Sequence, residues 1–185
     1  MLISTKLKRM ERKFRNLFEW KSPMMAYISF TKTQLPYGWL GNMFAAPITY
    51  QSQIWLTSEA LFQALRFDDV TIREMIRNDK SPMGAKMVAK KYMTKSVVEP
   101  MSMEDIDNRR LCLRIKFDQH SDLRDKLLTT GDHIIFEDVS ERPKTTRNRF
   151  WGAVKTDVKL DGNNMLGKLL MALRVEIKNE DGFLP

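Results

Sequence analysis

Thr57-Ser58-Glu59-Ala60-Leu61-Phe62-Gln63-Ala64-Leu65-Arg66-Phe67 is the stretch on which the fold of this chain turns. Ala60, Leu61, Ala64 and Leu65 recur at spacings of three and four, which predicts a helix with an apolar stripe; Thr57 or Ser58 carries the oxygen to cap its start. Glu59 and Gln63 lie one turn apart on a neighbouring face. A carboxylate and an amide on one side of an otherwise apolar helix mark the expected active site.

Upstream, Ala26-Tyr27-Ile28-Ser29-Phe30 and Ile48-Thr49-Tyr50-Gln51-Ser52-Gln53-Ile54-Trp55 read as short strands, separated by the turn-rich loop Pro36-Tyr37-Gly38-Trp39-Leu40-Gly41-Asn42-Met43-Phe44. Downstream, periodicity predicts helices over 57–67, 70–78 and 82–92. Ser102 with Asp105 forms a capping-box-like start for a helix through Phe117, with Ile106, Leu113 and Phe117 on its apolar side. Ser121 is read as the cap of the next helix, which stops at Gly131. His133-Ile134-Ile135-Phe136-Glu137 reads as a strand, and residues 140–148 as a polar, basic loop ahead of Phe150-Trp151-Gly152. Asn163 or Asn164 then caps a final helix with Leu166, Leu169, Leu170, Leu173 and Ile177 on one face. The expected architecture is α+β, a predominantly helical single domain with a small β-sheet.

Composition narrows the function. A chain of 185 residues with 43% hydrophobic content suits one globular domain with a sizeable core. No apolar run approaches the roughly 20 residues needed to span a bilayer, and the N-terminus lacks a secretory apolar stretch, so a cytoplasmic protein without membrane contact is expected. The net charge is +8 and unevenly spread: residues 1–24 hold seven Lys or Arg against two Glu. This basic arm, with Leu7, Met10, Phe14, Leu17 and Phe18 at helical spacing, reads either as an amphipathic helix that contacts phosphates or as a solubilising helix. The domain proper is expected over 25–180, with a short tail at 181–185. Cys112, the one cysteine, sits in Leu111-Cys112-Leu113 and reads as a small buried hydrophobe. His120 and His133 have no ligand-like spacing, so neither a metal nor another cofactor is expected.

Gly162-Asn163-Asn164-Met165-Leu166-Gly167-Lys168-Leu169 mimics a phosphate-binding P-loop, but Leu169 replaces the hydroxyl residue that would bind magnesium. The apolar spacing from residue 164 onward calls for helix there instead of a glycine-rich cradle.

Six separated segments, in order between Ile28 and Arg174, together resemble the NADAR (YbiA-like) family. Gly38-Trp39-Leu40-Gly41-Asn42-Met43-Phe44 resembles its GWLSNF motif, and residues 57–67 resemble its TSEHxFQAxKF helix, with Ala60 where histidine is common. Ser81-Pro82-Met83-Gly84-Ala85-Lys86 with Lys90 resembles SPxxAKxxGR. Arg114-Ile115-Lys116-Phe117, Leu123-Arg124 and Leu127-Leu128-Thr129-Thr130-Gly131-Asp132 look like RAKF…LRxLLLATGD. Phe150-Trp151-Gly152 and the segment from Asn164 to Met171 complete the set. Two positions depart from the pattern. Asn148 stands where an aspartate is usual, and Met101 where a tryptophan is common.

The resemblance implies an N-glycosidase that hydrolyses a bond between ribose and a nitrogen. Family members are associated with removing ADP-ribose from guanine in nucleic acid, others with phosphoribosylamino-pyrimidine intermediates of riboflavin synthesis. The basic arm and loop favour an ADP-ribosylated nucleic acid over a smaller ribosyl-nucleotide. A non-catalytic nucleic-acid-binding module is the alternative, with Asn148 and Met101 as marks of a degraded site. Cleavage develops positive charge on the sugar, and Glu59 is the leading anion to oppose it; its other reading is satisfaction of the helix start. Lys86 is the second catalytic candidate, either contacting phosphate or attacking the anomeric carbon to give an imine. Gln63 is a candidate for ribose or base contact, Asn42 and Phe44 for another pocket wall, and Lys90 for phosphate. Asp132 and Glu137 are candidate second carboxylates. Trp151 offers a stacking ring, Gly152 close backbone approach, and Asn148 and Asn164 complete the substrate-binding set.

Overall fold

Two apolar runs far apart in sequence pair side by side. In this computed structural model, which describes residues 26–182, β1 (Tyr27–Phe30) lies parallel to β4 (Ile134–Glu137) with Tyr27 opposite Ile134 and Phe30 opposite Glu137. The basic arm of residues 1–24 lies outside the described residues. The strand expected over 48–55 is instead a hairpin, β2 (Ile48–Tyr50) against β3 (Gln53–Trp55), turning at Gln51 and Ser52. Both turn residues have positive φ, 49° and 62°, a conformation that Asn-Gly signals and Gln-Ser does not.

Among the described residues seven α-helices surround these strands: α1 (Ser58–Ala64), α2 (Val70–Arg77), α3 (Pro82–Lys91), α4 (Met103–Gln119), α5 (Ser121–Thr129), α6 (Thr146–Trp151) and α7 (Met165–Glu180). A second hairpin, β5 (Val154–Lys155) and β6 (Leu160–Asp161), precedes α7. The α+β, mainly helical expectation holds, but the sheet is three separate two-stranded pieces.

The cap signals read from the sequence are met at α1 and α4, and Ser81 caps α3 as well. Thr57 Oγ1 accepts from Ala60 N at 3.2 Å, Ser81 Oγ from Gly84 N at 2.9 Å, and Ser102 Oγ from Asp105 N at 3.2 Å. At α5 Ser121 is the first helical residue and His120 the cap. The loop expected over 140–148 ends early, because Thr145 caps α6 through Asn148 N at 3.2 Å and carries Phe150 and Trp151 into a helix. Lys168 of the P-loop-like segment lies within α7.

Helix α1 is the centre of the molecule. All seven of its residues are buried, not only the apolar stripe, so Glu59 and Gln63 must find polar partners inside. Helices α2, α3 and α4 pack around it, and α7 lies on β4. Gly167 permits that last contact, since a Cβ there would sit 2.1 Å from Ile135 O. Leu166, Leu169, Leu170, Leu173 and Ile177 are buried as their spacing predicts, and so is Cys112.

Lys116 of α4 is fully buried with no acidic partner among the described residues. Its Nζ donates to Trp39 O at 2.6 Å and Gly41 O at 2.9 Å, and lies between the Phe44 and Phe117 rings. This pins the 38–44 loop to α4. The loop in turn accepts from Glu59 N through Asn42 O at 3.0 Å. Burial pushes the Lys116 ammonium down to about 7, whereas an unfolded lysine keeps its proton to about pH 10. Unfolding therefore takes up a proton between those values, and the stability attributable to Lys116 rises with pH in that window. Relative to Lys116→Met, the wild type is expected to gain about 1.4 kcal/mol per pH unit from pH 7 to 9 in urea unfolding. Parallel pH slopes would show that Lys116 stays charged throughout.

Candidate active site

The short α1 places Glu59 in its first turn, and the residues below it dictate its ionisation. Arg66 donates to both oxygens of Asp105, at 2.8 and 2.9 Å, with both side chains fully buried. Arg66 Nη1 also donates to Gln63 Oε1 at 2.9 Å. Guanidinium nitrogens only donate, so Gln63 must turn its amide nitrogen the other way. That nitrogen donates to Glu59 Oε1 at 2.7 Å, while Arg109 Nη1 donates to Oε2 at 2.7 Å. Two donors meet the carboxylate and no acceptor does. Burial alone would raise its pKa, but Arg109 and Lys86 nearby, with the two hydrogen bonds, hold it at about 2. Glu59 is thus a fixed anion with no proton to give at neutral pH.

Arg109 is held as firmly. Its guanidinium carbon lies 3.4 Å from the Phe62 ring centroid and 4.9 Å from that of Trp151. Trp151 also meets Phe62 and Phe150 edge-on at 5.8 and 5.1 Å.

Above Glu59 opens a cavity of about 710 Å³, walled by the 31–34 and 41–45 loops, the start of α3, α4, and the segment from Glu137 to Trp151. Lys86 lines it, half-buried on the second turn of α3, with no hydrogen bond or ion pair to any described residue. Burial pushes its ammonium down; Glu59 opposes that shift, and Arg147, Arg142 and Arg109 add to it. Arg147 also lines the cavity without such a partner, whereas Arg142 donates to Glu137 Oε1 at 3.0 Å. With Lys32, five cationic side chains face two carboxylates, Glu59 and Glu137. Among the described residues no three His, Cys, Asp or Glu are grouped to hold a metal ion, and no helix is long and apolar enough to cross a membrane.

Of the residues singled out from sequence, Glu59, Lys86, Asn42, Glu137, Asn148 and Trp151 line this cavity. Six do not. Gln63 lies beneath Glu59 and orients it. Phe44 packs against the core and Lys116. Lys90 and Asp132 are exposed elsewhere on the surface. Gly152 is a packing glycine, since a Cβ there would stand 2.6 Å from Glu137 O. Asn164 turns its amide to β4, donating to Ile135 O at 2.8 Å and accepting from Glu137 N at 3.3 Å; it begins α7 with φ 48° and no side-chain cap. Trp151 is only 7% exposed, so its ring presents little stacking surface. Arg109 and Arg142 were not singled out, and Arg147 entered only as part of the basic loop before Phe150. A basic residue on the apolar side of α4, three residues before Cys112, is the one local hint of Arg109.

The site is thus a central helix that presents an arginine-held carboxylate to a cationic cavity. The NADAR domain profile matches residues 29–178, and the chain belongs to the NADAR family. N-glycosidase YbiA of Escherichia coli (strain K12) is 36% identical over 155 residues, covering 83% of this chain and 89% of that protein. A riboflavin biosynthesis protein of Vibrio vulnificus is 28% identical over 142 residues, which cover 77% of this chain and 36% of that longer relative. The NMR structure of E. coli YbiA matches with a TM-score of 0.72 at 32% identity, covering 89% of this chain and 92% of that one.

Proposed function

We propose that the protein is an N-glycosidase that hydrolyses the bond between ribose C1 and a base nitrogen, with ADP-ribosylated guanine in nucleic acid as its substrate. The observation that carries this reading is the ionised Glu59 facing the unpaired, half-buried Lys86 across a cation-lined cavity. The name of the YbiA relative supports the reaction class. An intact Glu59 network argues against a degraded, binding-only site.

The residues divide the chemistry as follows. Neutral Lys86 attacks ribose C1, the C1–N bond breaks, and its electron pair leaves with the base nitrogen, which takes a proton from solvent. Positive charge that develops at C1 is opposed by Glu59, whose charge is fixed before the reaction begins. The amine gives its two protons to water, the C1–O4′ bond breaks with O4′ taking a proton from water, and the opened ribose is left as an imine between Lys86 and C1. Water then adds to C1, the C–N bond to Lys86 breaks, and the free sugar and amine are restored. Arg142 and Arg147 suit the diphosphate of ADP-ribose, since two guanidinium groups flanking one cavity match two phosphates.

A second reading, cleavage of a phosphoribosylamino-pyrimidine, is favoured by the Vibrio vulnificus relative. The test incubates the protein with a DNA oligonucleotide carrying ADP-ribosyl-guanine and, separately, with a phosphoribosylaminouracil, and follows released sugar by mass spectrometry. Release from the oligonucleotide is expected. Release from the aminouracil alone would overturn the nucleic-acid assignment and leave the reaction class standing.

A further inference from the structure

From Lys80 to Val98 the chain holds five lysines and no Asp or Glu. Most of this segment is α3, which buries Ala85 and Ala89 against the core and turns Met83, Met87, Lys90 and Lys91 outward. Positions 83, 86, 87 and 90 follow one another at three- and four-residue spacing, so they form one continuous helix face. That face starts inside the cavity, because Met83 and Lys86 line it, and runs outward to Lys90. Met83 and Met87 remain 56% and 53% exposed.

Several cations elsewhere on the surface are committed to carboxylates. Arg77, Arg114, Arg124 and Arg149 each hold a carboxylate within 2.7 Å. None of Lys80, Lys86, Lys90, Lys91 and Lys95 forms an ion pair with a described residue; Lys91 and Lys95 instead lie over the Tyr92 ring at 5.3 and 5.9 Å. Unpaired cations interleaved with exposed thioethers and a tyrosine suit a partner with regularly spaced anions and apolar faces between them. A nucleic-acid strand has that chemistry, and an acidic peptide lacks the flat faces.

We infer that the outer face of α3, from Met83 through Lys86 and Met87 to Lys90 and Lys91, is the track on which a single nucleic-acid strand flanking the modified base lies. Phosphates contact Lys90 and Lys91, and neighbouring bases rest against Met83 and Met87. A modified base enters the cavity only when unstacked, and a single strand presents it without the cost of opening a duplex. This inference rests on the nucleic-acid reading above and extends it from the reacting base to its neighbours.

The test measures binding of an unmodified single-stranded DNA oligonucleotide by fluorescence anisotropy across salt concentrations, for the full chain and for Lys90→Gln/Lys91→Gln. Both lysines are exposed and free of ion pairs, and circular dichroism checks that the variant folds. Affinity is expected to fall by about tenfold or more at low salt, and the slope of log K against log salt to shrink by about 0.7 for each lysine removed. Unchanged affinity and slope would overturn the track, as would equal competition by polyglutamate of the same charge. The release assay separates the two claims. Binding that depends on α3 without release from ADP-ribosylated DNA keeps the track and sinks the substrate; release with α3-independent binding does the reverse.

Discussion

Glu59→Gln is expected to lower turnover of the ribosylated substrate by roughly 10²–10³-fold while the protein remains folded. The substitution keeps shape and removes charge. Gln63 Nε2 and Arg109 Nη1 both donate to this position, and Arg66 prevents Gln63 from flipping. A glutamine oxygen satisfies one donor, but its amide nitrogen then faces the other. Arg109, only 5% exposed, loses its one carboxylate partner among the described residues. Stability is therefore expected to fall as well, by about 3 kcal/mol in urea unfolding. Turnover is to be compared at a temperature where circular dichroism reports a folded variant. Retained turnover there would remove Glu59 from the chemistry and leave it as a structural anchor for Arg109.

The second large effect concerns stability. Asp105→Asn is expected to cost about 3–5 kcal/mol, because it leaves the fully buried Arg66 guanidinium without an anion. Asp105 Oδ2 also accepts from Met101 N at 2.8 Å, which ties the start of α4 to the same network. A matching change in an exposed pair, Asp118→Asn beside Arg114, is expected to cost about 0–1 kcal/mol. The contrast is burial, since both aspartates bind arginine at similar distances. Urea unfolding of the two variants side by side measures it. A loss at Asp105 no larger than that at Asp118 would show that the interior relaxes or hydrates around Arg66.

Local periodicity made much of this molecule readable. The cap of α1 and the apolar spacing of α1 and α3 place Glu59, Gln63 and Lys86 on helices before any tertiary contact is considered. What local spacing does not encode is pairing across the chain. Arg109 meets Glu59 from 50 residues away, and Arg66 meets Asp105 from 39. Nothing within one or two turns of Arg66 distinguishes it from a solvated cation, and the only local hint of Arg109 is its place on the apolar side of α4. Gly152 and Asn164 illustrate the same point from the opposite side. Both belong to segments that resemble family motifs, yet each is accounted for by close packing or hydrogen bonding to β4. The β2–β3 turn was hidden because Gln51 and Ser52 take left-handed backbone without the residues that usually announce it.

The most direct test of the Glu59–Lys86 centre is to run the release assay on ADP-ribosyl-guanine DNA with cyanoborohydride present and map the protein by mass spectrometry. Reduction of the imine is predicted to leave the open ribosyl adduct on Lys86, increasing as pH rises toward the lowered pKa of that lysine, and absent from Lys86→Arg, which also fails to turn over. Sugar release that continues in Lys86→Arg, with no adduct on the wild type, would contradict the covalent route and leave Glu59 to support direct attack by water.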